Sequence, residues 1–272
     1  MRALVGALAV AAMGCGSGPA AATKDGEWSC GAVHGAATAV RALGHGRRLK
    51  LGAVADTNGT APATLANLRR FAGVFSVEHV DAVVALGDLG ATEDEIATVL
   101  TALAGAKVPL LALAGEREPE NAFHAAVARV RAAGVDIIDL VETRLVDTGK
   151  IDILSVPGYP FSDKGCRYTS ADLEGARRLV DGRWRPLIVV AHTPPKGAGD
   201  KAVDWATGEV NAGDPAMLDL QNAIYPNAAL FAHVDEAGGR NERGRINVGG
   251  VEAGMATIVE LRDGVARTEV LR

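Results

Sequence analysis

Short apolar runs alternate with longer amphipathic stretches between residues 49 and 139. The runs have strand length and few polar residues, which is typical of strands buried on both faces. They cover residues 49–55, 82–86, 109–113 and 135–139. The stretches between them repeat apolar residues every three or four positions, as helices do, over 62–77, 92–103 and 119–133. Three consecutive strand–helix–strand units predict a parallel sheet covered by helices.

The second half of the chain adds hairpins to this pattern. Predicted strands flank Thr148-Gly149-Lys150 and Asp263-Gly264, and both segments predict tight turns. Further helices are predicted at 171–180 and 216–224, and further strands at 186–191, 228–232 and 245–248. An α/β fold in four layers accommodates both halves. We therefore predict an αββα sandwich of two mixed β-sheets flanked by helices.

The start of the chain resembles an export signal. Residues 3–14 are small and apolar, and they are too short for a permanent membrane span. Small residues directly before Cys15 resemble a bacterial lipoprotein box, which implies cleavage before Cys15 and lipidation of its thiol. Ala12 stands where that box usually has Leu, and the alternative is a plain secretory signal with an incidental Cys. We expect an exported protein held by lipid on a membrane of the bacterial cell envelope, periplasmic or outer-membrane.

This reading divides the chain into three parts. Residues 1–14 are the expected signal peptide, residues 15–48 the lipidated Cys with its tether and N-terminal segment, and residues 49–272 the folded domain. Residues 36–43 could form a short helix. After Cys15, Cys30 and Cys166 remain, and an exported chain can join them in one disulfide or bury them as free thiols.

Composition excludes some classes of function. Hydrophobic residues make up 48% of the chain and charged residues 22%, as in ordinary globular proteins. The net charge is −5, and no basic cluster is larger than residues 46–50. These values argue against a nucleic-acid partner.

Five segments at predicted strand ends carry Asp, Asn, Glu or His side chains. Open α/β sheets place their ligand sites at such carboxyl ends, so these segments predict one polar site. They read Ala55-Asp56-Thr57-Asn58, Gly87-Asp88, Gly115-Glu116-Arg117-Glu118, Ala191-His192-Thr193 and Ala232-His233-Val234-Asp235.

The five segments resemble, in order, the sequence blocks of the calcineurin-like metallophosphoesterase family. Those blocks are Asp-x-His, Gly-Asp, Gly-Asn-His-Asp/Glu, a lone His after a strand, and Gly-His-x-His. The resemblance covers about residues 49–272 and implies hydrolysis of small phosphate esters with one or two divalent ions, such as Mn, Mg, Fe or Zn. By position, it implies that Asp88 bridges two metal sites. The first site would take Asp56, Asn58 and Asp235, and the second Glu116, His192 and His233.

Four positions depart from the family pattern. Asn58 and Asp235 stand in place of His, and Glu116 in place of Asn, so each still offers an oxygen donor. The first site then has only oxygen ligands, which favours Mg²⁺, Mn²⁺ or Ca²⁺ over Zn²⁺. Arg117 occupies the place of the catalytic His. Arginine cannot act as a general acid, but it can bind phosphate or pair with a neighbouring carboxylate.

Two functions remain open from the sequence. The first is a metal-dependent phosphoesterase with reduced or altered activity. The second is a catalytically inactive member of the fold that serves as a binding or structural module, and a single metal at Asp88, His192 and His233 is an intermediate case. Simpler readings make Asp56 and Asp88 helix caps. His124 is a candidate replacement acid or an ordinary helix-surface residue, and the loop at 197–213 a lid or a plain surface loop.

Overall fold

The computed structural model describes residues 28–30, 37–208 and 210–272, so the expected signal peptide, Cys15 and most of the tether lie outside the described residues. Seventeen strands are found in the described ranges. They are β1 (Trp28–Ser29), β2 (Ala37–Val40), β3 (Arg48–Val54), β4 (Ala82–Leu86), β5 (Leu110–Leu113), β6 (Ile137–Asp139), β7 (Thr143–Asp147), β8 (Asp152–Val156), β9 (Cys166–Arg167), β10 (Leu187–Ala191), β11 (Trp205–Ala206), β12 (Val210–Asn211), β13 (Ala228–Phe231), β14 (Asn241–Glu242), β15 (Arg245–Asn247), β16 (Ala256–Arg262) and β17 (Val265–Leu271).

Five α-helices accompany these strands in the same ranges. They are α1 (Pro62–Val77), α2 (Glu93–Leu103), α3 (Glu120–Ala132), α4 (Ser170–Val180) and α5 (Pro215–Ile224). Pro at the first position of α1 and the reciprocal capping box of Thr92 and Glu95 on α2 explain why these helices begin where they do. Neither helix is capped by Asp56 or Asp88, since the residues at the cap positions are Ala61 and Thr92.

Two large mixed sheets form the centre of the molecule. The six-stranded sheet has the order β17-β16-β3-β4-β5-β6, with β3 to β6 parallel. The seven-stranded sheet has the order β14-β15-β13-β10-β8-β7-β2, with β8, β10, β13 and β15 parallel. The predicted hairpins are the antiparallel pairs β7–β8 and β16–β17.

Alternate residues of the central strands pack into different layers of core. In β4, Ala82, Val84 and Leu86 join the cluster between the two sheets, while Val83 and Ala85 join the cluster under α1 to α3. The strands β10 and β13 alternate in the same way between the inter-sheet cluster and a third cluster under α4 and α5. Three apolar layers between four layers of structure confirm the predicted αββα sandwich.

The sheets extend upstream of the expected domain start at residue 49. Strand β1 pairs with β9, and β2 pairs with β7 at the edge of the seven-stranded sheet. The short helix considered for residues 36–43 is therefore wrong, since Ala37–Val40 is a strand. Thr38 and Val40 are β-branched, and pairing with an open sheet edge outweighs the weak helix preference of the two alanines.

Cys30 and Cys166 are joined in a disulfide with their Cα atoms 5.2 Å apart. Both residues are buried. The guanidinium of buried Arg144 donates to the carbonyl of Cys30 at 3.1 Å and to that of Ser155 at 2.9 Å. The bridge and this side chain together attach the N-terminal segment to the middle of the fold.

No helix in the described part of the chain is long and apolar enough to cross a membrane.

Gly52 provides a test of the packing between α1 and the six-stranded sheet. A Cβ atom at Gly52 would lie 2.8 Å from the buried ring of Phe75, so Gly52→Ala overpacks this contact. We expect a loss of about 1–3 kcal/mol in the free energy of unfolding, measured by urea denaturation. Gly73→Ala is the control, because Gly73 is exposed in α1 and a Cβ there meets nothing within 4 Å. Equal stability of Gly52→Ala and wild type would contradict the packing.

Candidate metal centre

The candidate ligands lie just beyond the carboxyl ends of strands in both sheets. Asp56, Asp88 and Glu116 follow β3, β4 and β5 of the six-stranded sheet, and His192 and His233 follow β10 and β13 of the seven-stranded sheet. The inter-sheet core holds these two edges together, so the site exists only because the sheets pack face to face.

Four of the predicted site residues have a left-handed backbone. The φ angles are 49° at Asp56, 50° at Asn58, 55° at Asp88 and 69° at His233. Residues other than glycine adopt this region at a cost of about 1–2 kcal/mol each, and such strain concentrates at functional sites. The amide of Asn58 donates to the carbonyl of Asp88 at 2.9 Å, and the amide of His233 to the carboxylate of Asp56 at 3.2 Å. These bonds fix the turns to one another.

The structure brings five candidate ligands into two overlapping groups. One group is Glu116, His192 and His233, and the other is Asp56, Asp88 and His192; within each, one possible donor atom per residue lies within 4.8 Å of the others. Nitrogen and carboxylate donors in such an arrangement suit divalent ions such as Zn, Fe or Mn.

Glu116 connects the two histidines. Its Oε1 lies 2.8 Å from Nδ1 of His233, and its Oε2 lies 2.5 Å from Nε2 of His192. Burial alone would raise the pKa of Glu116, but the two imidazoles outweigh that effect and hold this pKa well below its usual range. Glu116 is therefore an anion at neutral pH.

The ring of His192 is oriented by the fold. It is fully buried, and its Nδ1 lies 2.7 Å from the carbonyl oxygen of Leu86. Because that carbonyl can only accept, Nδ1 carries a proton, and Nε2 points to Glu116 and to Asp88 at 3.7 Å. Nε2 of His192 and Oε2 of Glu116 have no hydrogen bond of good geometry among the described residues. A buried nitrogen and a carboxylate oxygen this close together need a positive charge between them, either a proton or a metal ion, and the donor set fits a divalent metal.

Further carboxyl groups surround the pair of Glu116 and His192. Burial raises the pKa of Asp56 well above its usual value, against the influence of His192, and Asp88, Asp235 and Glu116 raise it further. Burial also raises the pKa of Asp88, with Glu116 adding to the effect. Nearby carboxylates raise the pKa of His192 although burial lowers it. The site therefore favours positive charge, whether proton or metal.

Solved structures share this architecture, although no protein-family model and no curated protein matches the sequence. The protein TT1561 of Thermus thermophilus superposes with a TM-score of 0.62 at 19% identity, over 82% of this chain and 99% of that one. A dimetal phosphatase from Danio rerio superposes with a TM-score of 0.54 at 12% identity, over 82% of this chain and 98% of that one. The chain has the metallophosphoesterase fold.

Two predicted ligands of the first site are less well placed in this metallophosphoesterase fold. The side-chain amide of Asn58 donates to Glu252 at 2.8 Å. Asp235 belongs to neither ligand group, and burial, Glu236 and Glu252 raise its pKa. Glu252 was not singled out in the sequence because it lies in a turn beyond the last block. An all-oxygen first site is thus only partly assembled, whereas the donors around His192 are together.

Arg117 stands at the mouth of the centre and is exposed. Its backbone amide donates to Oδ1 of Asp88 at 3.1 Å. Within the described ranges, its guanidinium makes no hydrogen bond or ion pair, so it does not pair with Glu116 or Glu118. His124 does not take its place, because the ring of His124 lies 2.7 Å from Asp139 and outside both ligand groups. The guanidinium is available to an anion.

Glu118 supports the site from below. Its carboxylate is fully buried and accepts hydrogen bonds from the amides of Gly115, at 2.8 Å, and Leu89. Burial raises the pKa of Glu118 to about 8, with Asp88 adding to the rise and the two amides opposing it. This side chain ties the Asp88 turn to the Glu116 turn.

The loop predicted as a lid is a hairpin of β11 and β12. Buried Asp204 at its base accepts from the amides of Gly197 and Gly213, each at 2.9 Å. The hydroxyl of Thr207 donates to Glu236 at 2.5 Å, and the side-chain amide of Asn247 donates to the carbonyl of Val203 at 3.1 Å. The hairpin is thereby attached beside the Asp235 turn, and its role as a lid stays a prediction.

Replacing Glu118 tests the support of the two turns. Glu118→Gln keeps the size of the side chain. The NH₂ group of glutamine cannot accept a hydrogen bond, so one of the two backbone amides becomes a buried donor without a partner. We expect a loss of about 1–3 kcal/mol in unfolding free energy. Calorimetry against Glu120→Gln, an exposed change in the first turn of α3, provides the comparison. Indistinguishable melting of the two variants would rule out this support.

Proposed function

We propose that the chain is a divalent-metal-dependent phosphoesterase of the cell envelope that prefers esters with good leaving groups. The observation that carries the proposal is the pair Glu116 Oε2 and His192 Nε2. These buried atoms lie 2.5 Å apart without a hydrogen bond of good geometry in the described part of the chain, amid further carboxylates. The shared fold of a dimetal phosphatase supports it.

The residues present assign the parts of such a reaction. Glu116, His192, His233, Asp56 and Asp88 would hold metal, which supplies charge neutralisation at the phosphoryl group and an acidic water. The carbonyl of Leu86 holds one proton of His192 on Nδ1, so Nε2 is the nitrogen that would bind metal, and the amide of Arg117 orients Asp88. The exposed guanidinium of Arg117 binds the phosphoryl oxygens.

The missing acid sets the preference for leaving group. A positioned general acid contributes about 10²–10⁴-fold in rate, and Arg117 cannot supply that proton. An alkoxide then leaves slowly, whereas an anion of low basicity leaves without help. This accounts for reduced or altered activity in place of the family's full activity.

The envelope location rests on the beginning of the chain. The apolar residues 3–14 and Cys15 support export and lipidation. The disulfide between Cys30 and Cys166 fits an oxidising compartment.

An inactive binding module is the second candidate. Arg117 in the acid position and Asp235 outside both ligand groups favour it. The two candidates differ in turnover and agree in fold.

Metal content and hydrolysis decide between them. The soluble chain from residue 16 is expected to retain at least one equivalent of divalent metal by elemental analysis and to hydrolyse aryl phosphate esters with Mn²⁺, Mg²⁺ or Zn²⁺. Asp88→Asn should reduce kcat/KM by more than about 100-fold, since even outer-shell partners of metal ligands contribute 10–100-fold. Asp219→Asn, an exposed change on α5, is the control. A metal-free protein that is inert with every ion would overturn the proposal.

Restoring an acid tests the role given to Arg117. Arg117→His should raise kcat/KM for alkyl phosphate esters by about 10²-fold or more and change it little for aryl esters. Arg117→Ala removes the cation without adding an acid, so its comparison with Arg117→His separates the two effects. An equal gain on both ester classes, or no gain on either, would show that proton donation is not what limits this site.

A further inference from the structure

A row of four rings leads from the metal centre to the surface. The ring centroids of His192 and His233 are 5.4 Å apart, Tyr159 stacks on His233 at 4.4 Å, and Phe161 meets Tyr159 edge-on at 5.6 Å. His192 is fully buried, whereas Phe161 is 75% exposed. The row therefore starts at candidate metal ligands and ends in solvent.

Phe161 differs in exposure from the other phenylalanines of this chain. Aromatic residues make up only 4% of the sequence, and the chain has five phenylalanines. The other four are fully buried in the core: Phe71, Phe75, Phe123 and Phe231. An exposed phenylalanine beside a reactive centre has apolar surface to offer a ligand.

Tyr159 and Phe161 lie in residues 157–166, a segment called here the aromatic loop. It is bound to the backbone of the Glu116 turn, since the amide of Gly158 donates to Ala114 at 2.8 Å and that of Cys166 to Gly115 at 3.2 Å. A Cβ at Gly165 would lie 2.0 Å from the carbonyl oxygen of Glu116, so only glycine permits this approach. The disulfide at Cys166 adds a covalent tie. The rings are thus held in place before any ligand arrives, which lowers the ordering cost of binding.

The space around Phe161 can hold a substituted ring. Phe161 forms one wall of a depression of about 290 Å³, which Arg167 and Tyr168 also line. A ring that packs against Phe161 has room for further atoms on this side.

The chemistry of leaving groups points the same way. A phenol ionises near pKa 10, well below an aliphatic alcohol, so a phenolate is a far better leaving group than an alkoxide. A site in which Arg117 replaces the acid therefore suits a phenolic ester, and an aromatic wall beside the metal centre suits the ring of that ester.

We propose that the substrates of this site are aryl phosphate esters whose ring packs against Phe161 and Tyr159. The inference rests on the proposed phosphoesterase function and narrows its substrate class. In the reaction, an oxygen of water forms a bond to phosphorus while that water gives a proton to solvent, and the bond from phosphorus to the aryl oxygen breaks. The phenolate leaves with the electron pair and takes a proton from solvent.

Binding of a matched pair of non-hydrolysable probes tests ring recognition apart from turnover. Phenylphosphonate and cyclohexylphosphonate have similar size and the same phosphonate group, and only the first ring is planar and aromatic. By titration calorimetry with Mn²⁺ present, wild type should bind phenylphosphonate about threefold to tenfold more tightly, as expected for one aromatic pair. Phe161→Ala and Phe161→Leu should both reduce this preference, since the contact of the probe's ring with Tyr159 remains.

A control variant and kinetics complete the test. Trp184→Ala removes another exposed aromatic, at the opposite end of β10 from His192, and should keep the preference. For phenyl phosphate, Phe161→Ala should raise KM with little change in kcat.

Equal binding of the two phosphonates to wild type, or no binding of either at millimolar concentration, would overturn the inference whatever the turnover. A phenylphosphonate preference that depends on Phe161 in a protein without hydrolysis would keep ring recognition and remove the phosphoesterase proposal.

Discussion

The crowding of carboxyl groups at one edge of the sandwich is the constraint on which the site depends. Asp56, Asp88 and Glu118 are buried there, and Glu116 is mostly so. Buried anions are costly unless they are paired. Burial raises the pKa of Glu118, which accepts from two backbone amides, whereas two imidazoles compensate the charge of Glu116. Among the described residues, Oε2 of Glu116 and Nε2 of His192 still lack a hydrogen bond of good geometry. The remaining charge makes the site attractive to cations.

This crowding is maintained by the packing of two sheets. The acidic turns belong to one sheet and the histidines to the other, and apolar side chains from both fill the layer between. Left-handed turns at Asp56, Asp88 and His233 aim these residues across that boundary. A shift of one sheet against the other would change the distance from Glu116 to both imidazoles. The packing that stabilises the core therefore also sets the distances between the candidate ligands.

Periodicity was enough to predict the helices, the central strands and the order of the site turns, because strands buried on both faces leave a strong apolar signal. Strand β2 was missed since pairing at a sheet edge, invisible in four residues, decides its conformation. Tyr159 and Phe161 were missed for a different reason. They follow β8 in a loop that matches none of the family's sequence blocks, and only their rarity in a chain with 4% aromatics could have drawn attention to them. The absence of Asp235 from both ligand groups depends on side-chain directions that spacing does not determine.

The disulfide makes the order of the site depend on how the chain is made and oxidised. Cys30 has its partner 136 residues later, so the bridge can close only after β3 to β8 have been made. Its closure fixes the loop that packs on the Glu116 turn. A chain matured in a reducing compartment has the same layers and the same donors but lacks that covalent tie. The order of the candidate metal centre therefore depends on the compartment in which the protein matures as well as on its sequence.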